Sequence, residues 1–412
     1  MGKLVVTGET SQRDVSTQRY SRRDVERQQR RQDPLWSWAY QLPKIDLHRH
    51  LEGALRVRTL TEVARDHGID LPSYDVEGLR PYVQMTDDPP GFQRFIGKFK
   101  LLRKFFTSKE VVQRITHEAI VDAARDHLIY LELRFNPLAL AQVQGFSFAE
   151  VVDWVVEATV AAEKDTGVRT CLILQIPRNE SLSVAEEIVD VALGAFGPWV
   201  RGIDLAGDEV NYPPERFIVP FQRAFDAGLH ITVHAGEAMG AESVRRAILH
   251  LHPQRIGHGV RAIESSAVIR MLYEQQIVME VCPTSNLDTG VVPAFGRHPL
   301  PDLLNLRLRV TLNTDDPSIS DTTLTDEVWV ATQEMGLTKP LIYRMLDHAL
   351  DAAFVPVEEK AALRDRLSRA RDEPSEARDG PSEARDEPSE ARDEPSEARD
   401  QQAEGTVPAE IS

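Results

Sequence analysis

The chain has 412 residues, 42% of them hydrophobic, and a formal net charge of −17. That length holds one large domain or two ordinary ones with a substantial core. The acidic balance argues against nucleic acid as a partner, since phosphate binding wants a basic face, and no apolar run approaches the ~18 residues of a membrane span.

The polar N-terminus lacks the apolar centre of a signal peptide, and Val6 breaks the myristoylation pattern that Met1-Gly2 begins. Residues 1–34 are rich in Arg, Gln, Ser and Asp and read as a disordered N-terminal tail. Its arginines, Arg19 to Arg31, are expected to be solvated rather than docked on an anionic surface.

In Lys44–His50, Ile45, Leu47 and Arg49 alternate with Asp46, His48 and His50, which is the period of a strand. His48 and His50 therefore share one face just before Gly53 breaks the run. A long insertion follows, about Val57 to Ser108. Within it Phe92, Phe95, Phe99 and Leu102 recur at helical spacing, a face that suits packing on the body and equally a lid over a site.

Further apolar runs follow at Ile129–Phe135, Thr170–Ile176, Gly202–Leu205, His230–His234, Arg255–His258, Ile277–Val281 and Arg309–Asn313. Helical stretches such as Ala149–Thr166 and Glu242–His250 separate them. Eight strand–helix units imply a parallel sheet closed into a (β/α)8 TIM barrel over residues 35–369, an α/β fold with a helical insertion after its first strand and disordered termini. A doubly wound open sheet is the runner-up, but the Gly-rich phosphate turn expected after its first strand is absent. Cys171 and Cys282 lie in apolar runs and are expected to be buried thiols in a reducing cytoplasm. In the C-terminal segment 370–412, Ala-Arg-Asp-Glu-Pro-Ser-Glu recurs every seven residues from Ala370 to Asp400, with Gly380 replacing Glu once. A proline in each copy and nothing apolar beyond alanine exclude a coiled coil and leave a low-complexity tail.

Catalytic groups of such barrels sit at the C-terminal strand ends, and here those ends are polar: His48 and His50, then Asp204 to Glu209, then His234 and Glu237, then His258, then Asp315 and Asp316. A mononuclear hydrolytic metal needs three or four N/O ligands and an open position. His48, His50 and His234 offer nitrogens and Asp315 a carboxylate; zinc suits that set. Glu237 and His258 are left as proton handlers.

The motifs PKIDLHRHLEGAL, YLELRFNP, GIDLAGDE, VHAGE, RIGHGV, CPTSNLDTG and LNTDDP, spread over about 41–350, resemble the adenosine deaminase family of metal-dependent amidohydrolases. The resemblance implies one zinc ion per chain on His48, His50, His234 and Asp315. It implies that Glu237 gives a proton to purine N1, and that His258 helps deprotonate the attacking water or holds it electrostatically at C6. It also implies a substrate site that includes His50, Glu52, the Gly207 N–H at N3 and Asp316 at N7. The implied partner is a small purine nucleoside, with no nucleic acid and no membrane; oligomeric state is left open.

One departure bears on the substrate. Where adenosine-specific members commonly carry Asp, this chain has Glu52, as in relatives acting on adenine or modified adenosines. Adenosine and 2′-deoxyadenosine are expected, converted to inosine or its deoxy form plus ammonia in purine salvage; adenine or a modified adenosine such as aminodeoxyfutalosine is the alternative. A binuclear amidohydrolase would usually want a bridging lysine near Ile176 or Leu205, where there is none. A non-enzymatic binding protein would be expected to have lost a ligand or proton donor, and none is missing.

Overall fold

A computed structural model of the chain describes residues 28–372. The eight strands are β1 (Lys44–His50), β2 (Leu128–Phe135), β3 (Arg169–Pro177), β4 (Val200–Ala206), β5 (His230–Ala235), β6 (Arg255–His258), β7 (Val278–Val281) and β8 (Arg309–Leu312). All pairs are parallel and the order is sequential from β1 to β8. Helices lie between them, so this is the (β/α)8 barrel and not the open doubly wound sheet.

Closure between β8 and β1 falls just beyond β8. The Asp315 N–H donates to His48 O and the His50 N–H to Asp315 O, each at 2.8 Å, and Arg49 and Asp315 form a parallel bridge. The Leu47 N–H is taken by the Asn313 side chain at 3.0 Å. Sequence ends 265 residues apart are thus stitched through the same backbone that carries three of the candidate metal ligands.

Strand β1 is buried along its whole length. Ile45 and Leu47 pack with Ile129, Tyr130 and Leu350 in an apolar cluster. The alternate residues face the barrel interior, where apolar filling gives way to charge. Arg255 pairs with Glu132 and Glu280, and Arg134 pairs with Asp204 and Glu280, all of them fully buried. Buried charges persist when each is paired and hydrogen-bonded, and this network is the floor beneath the strand ends.

The insertion after β1 is helical, with helices Val57–His67, Val76–Val83 and Phe92–Leu102. The first ends where Gly68 takes the left-handed conformation that closes helices (φ +65°). On the third, Phe95 and Leu102 are buried in the core, while Phe92 and Phe99 stay partly open. The stripe therefore does both jobs expected of it: it packs, and it roofs a cleft.

Cys171 and Cys282 are buried free thiols, and burial pushes the Cys171 thiol up to about 12. Residues 28–33, assigned above to the N-terminal tail, already touch the barrel. Asp33 caps the helix Pro34–Gln41 and accepts from Trp329 Nε1 at 2.9 Å, and Arg30 lies over the Trp329 ring. At the other end the helix Val357–Asp372 runs past 369, with Arg371 paired to Asp347 at 2.8 Å. The tail expectations for residues 1–27 and for the repeat from 373 onward lie outside the described residues. Among those described, no helix is long and apolar enough to cross a membrane.

Candidate active site

Strand β1 presents His48 and His50 on one face, β5 ends in His234, and the turn after β8 carries Asp315. Nε2 of His50 lies 3.3 Å from Nε2 of His48 and 3.3 Å from Nε2 of His234. Oδ1 of Asp315 lies 3.1 Å from Nε2 of both His48 and His50.

The other ring nitrogens decide what these distances mean. Nδ1 of His48 is 2.8 Å from Glu280 Oε2, that of His50 is 3.0 Å from Gln175 Oε1, and that of His234 is 3.0 Å from Asp204 Oδ2. Each of those oxygens accepts, so each Nδ1 carries the hydrogen and each Nε2 presents a lone pair. Three lone pairs and a carboxylate oxygen converging this closely repel unless they share a cation. A tetrahedron with ligand distances of about 2.0–2.1 Å has edges of about 3.3–3.4 Å, close to the spacing seen. The residues fit one divalent ion.

The charges agree. Burial pushes the His234 ring down to about 4, so the ring is neutral, as a metal ligand would have to be. For His50 burial acts the same way, but Asp316 and Asp315 outweigh it and raise the ring to about 9; without metal, a proton takes the cation's place. Burial opposes ionisation of Asp315, yet the neighbouring rings of His258, His48 and His50 hold it well below the usual carboxylate range. Its Oδ2 accepts from Ser285 Oγ at 2.6 Å.

Two of these residues are held in strained backbone. Asp315 and His258 have φ of +63° and +60°, a region that non-glycine residues enter at a cost and that clusters at functional sites. Nε2 of His258 lies 3.7 Å from Glu237 Oε2 and 3.9 Å from Asp315 Oδ2. Glu237 itself stands on a loop cradled by Glu209, whose carboxylate accepts the N–H groups of Gly236, Glu237, Ala238 and Met239 at 2.5–3.2 Å. Burial first, then the charges of Asp315, Glu209 and Asp316, push the Glu237 carboxyl well above its ordinary value. That shift favours the protonated acid over the carboxylate.

These groups open on a cleft of about 420 Å³. His50, Glu52, Gly207, Glu237 and Asp316 line its barrel side, and Phe92, Phe95, Ile96, Phe99 and Arg103 its roof. Asp316 crosses directly over Gly53: a Cβ there would come within 1.7 Å of Asp316 Oδ1. Glu52 accepts the Asn136 N–H through Oε1 at 3.1 Å. Glu52 Oε2, Asp316 Oδ1 and Arg103 Nε are buried without a hydrogen-bond partner. All nine sequence-derived residues therefore meet at one mouth of the barrel. Gln175, Asp204, Glu209, Glu280, Ser285, Asn286 and Arg103 were given no role from sequence. The one signal that could have found Glu280 and Gln175 is that they are polar residues set inside apolar strands.

The adenosine deaminase family model matches residues 43–370. An adenosine deaminase from Shigella dysenteriae is 39% identical over 327 residues, covering 79% of this chain and 98% of its own length. Among solved structures, an adenine deaminase from Arthrobacter aurescens superposes with a TM-score of 0.74 at 30% identity, covering 80% of this chain and 98% of its own. An amidohydrolase from Burkholderia ambifaria with bound zinc gives a TM-score of 0.74 at 27% identity, covering 82% and 93%.

Proposed function

This chain belongs to the adenosine deaminase family, and from that premise we propose that it hydrolyses adenosine and 2′-deoxyadenosine to the 6-oxo nucleoside and ammonia. The observation that carries the choice of substrate is a pair of unanswered polar atoms beyond the metal cluster. Glu52 Oε2 can only be met by a donor if ionised, and Arg103 Nε only by an acceptor. A ribose hydroxyl is both. Free adenine has no group to reach them, and a 5′-phosphate meets an ionised Glu52 with like charge.

A divalent metal would be held by His48, His50, His234 and Asp315 and would supply the Lewis acidity that makes hydroxide available near neutral pH. Three imidazole nitrogens and one carboxylate favour zinc among such ions, and a solved amidohydrolase of the same fold has zinc bound. The protein's own groups act on the purine. Glu237, neutral through burial, gives its proton to N1, which removes aromatic electron density and opens C6 to the oxygen. Asp316 is also held well above the usual carboxylate range, by burial and by the neighbouring Asp315. N7 only accepts, so Asp316 meets it by donating. The Gly207 N–H meets N3, and His258 stands on the face from which the oxygen arrives. Phe92, Phe95 and Phe99 cover the base and exclude bulk water.

The test is a panel of adenosine, 2′-deoxyadenosine, adenine, AMP and aminodeoxyfutalosine, followed by ammonia release and loss of the purine absorbance. The two nucleosides should exceed adenine and AMP in kcat/KM by about 100-fold or more, because the latter leave buried polar groups unpaired. A preference for adenine or for aminodeoxyfutalosine would replace this reading by its alternative.

A further inference from the structure

His258 has a second neighbourhood, away from the metal cluster. Its Nδ1 lies 3.2 Å from the side-chain nitrogen of Asn286. The side-chain oxygen of Asn286 lies 3.2 Å from Nε2 of His298, and Nδ1 of His298 lies 3.0 Å from the backbone nitrogen of Leu300. All three side chains are buried, at 1%, 0% and 5% exposure for His258, Asn286 and His298, so water does not compete for these contacts.

One member of this chain has no choice of direction. The Leu300 N–H is a donor and nothing else. It obliges Nδ1 of His298 to accept. His298 is neutral, because burial pushes it down to about 3, and its single hydrogen is therefore on Nε2. That hydrogen obliges the Asn286 atom facing it to be the oxygen. The amide nitrogen then faces His258 and donates to its Nδ1. The reverse order aims two hydrogens at each other at the Leu300 end, so the assignment does not depend on how the amide was first oriented.

We infer that Asn286 and His298 form a relay that fixes His258 as the Nε2–H tautomer, so that it faces the reacting carbon as a hydrogen-bond donor and not as a base. The inference rests on the aminohydrolase reading above and chooses between the two roles that reading leaves to His258. A donor at Nε2 steadies the negative charge on the attacking oxygen, and its own proton count stays unchanged; Glu237, ionised once N1 has taken its proton, carries the remaining hydroxyl proton to the departing amine as the C6–N bond breaks. His298 touches neither substrate nor metal; it is a positioning residue that acts through Asn286.

The experiment uses the metal-loaded full chain. Nitrogen-15 NMR on histidine-labelled protein, with His258 assigned through His258→Asn, reads which ring nitrogen carries the hydrogen. The expected result is Nε2 in the wild type. Asn286→Asp is the decisive variant, because a carboxylate of the same shape accepts from both rings and moves the His258 hydrogen to Nδ1. It should lower kcat by about 10–100-fold, the usual effect of an orienting partner, with KM changed less than about threefold and metal content intact. His298→Phe should give the same split, and His298→Gln, which can accept from Leu300 and donate to Asn286, should recover most of the loss. A wild-type hydrogen on Nδ1, or Asn286→Asp turning over at the wild-type rate, overturns the relay. If no purine of the panel is deaminated, the functional reading fails, and the NMR assignment still decides the relay independently.

Discussion

Nδ1 of His48 donates to Oε2 of Glu280 at 2.8 Å, and the same carboxylate takes Arg134 and Arg255 on its remaining sites. A candidate metal ligand is thereby oriented by the buried ion network of the barrel floor. Thr232 adds a fourth contact at 3.1 Å. Burial works against ionisation of Glu280, yet the two guanidiniums hold it well below the carboxylate range.

Glu280→Gln should therefore lower stability and metal affinity together. The amide keeps the shape but leaves two buried arginines one negative charge short, and breaking such pairs costs about 3–5 kcal/mol. Loss of the carboxylate behind His48 should weaken the metal site by about 10–100-fold. Denaturant unfolding and metal titration read the two effects. Unchanged values in both would separate the metal site from the network.

Metal removal should show the repulsion among the three imidazoles. Metal analysis should find one ion per chain. Chelation should abolish turnover and lower the thermal midpoint, and one equivalent of zinc should restore both, since ligand that binds only the folded state adds stability by mass action. A chelated protein that keeps its midpoint would mean that the cluster is relaxed without an ion.

How far the sequence carried depends on the range of each signal. The period of two in Lys44–His50 and the polar strand ends are local, so the barrel, the four candidate ligands, Glu237 and His258 could be read directly, while Glu52, Gly207 and Asp316 entered as substrate contacts through the family resemblance. Closure through Asp315 depends on backbone pairing with His50, 265 positions away, and no local pattern encodes it. Glu209 was visible only as part of an acidic run; that it cradles the Glu237 loop depends on the path of the loop after β5. Asn286 stood only inside the motif CPTSNLDTG, and nothing in the sequence singled out His298. Their partnership exists only once helix Pro283–Asp288 and the segment before Leu300 fold against β6. The helical stripe in the insertion was legible as a face, but not which of its members would open on the cleft.

Glu237→Gln should leave metal content and fold intact while lowering kcat by several orders of magnitude. The substitution keeps the size of the side chain and removes the proton that N1 must receive. Metal analysis, a thermal melt and kinetics on adenosine check it together. A near-normal kcat would move the proton donor elsewhere.

Truncation after Asp372 should not change kcat or KM. The cut keeps the Arg371–Asp347 pair, and the repeat beyond it has neither histidine nor aromatic groups for this chemistry. Kinetics on the purified truncated chain decide. A large fall in kcat at equal metal content would give the tail a part in turnover.

Glu327 should make stability depend on pH. It is fully buried on the helix Leu324–Gln333. Its Oε2 accepts the Thr284 N–H at 3.1 Å, and its Oε1 lies 2.8 Å from the Thr322 hydroxyl. Burial outweighs these contacts and pushes the carboxyl up to about 8 from its ordinary 4.5. Between those values the folded chain keeps a proton that the unfolded chain has released. The unfolded state binds fewer protons there, so stability falls as pH rises across that window and levels off above about pH 8. Below about pH 4.5 the group is neutral in both states and the penalty disappears. Glu327→Gln keeps an acceptor for Thr284 and a donor for Thr322 and does not titrate. The thermal midpoint of the variant minus that of the wild type should therefore climb from pH 5 to pH 8, which cancels titrations common to both proteins. A difference that stays level over that range would show that Glu327 is ionised in the fold, with its charge fully met by Thr284 and Thr322.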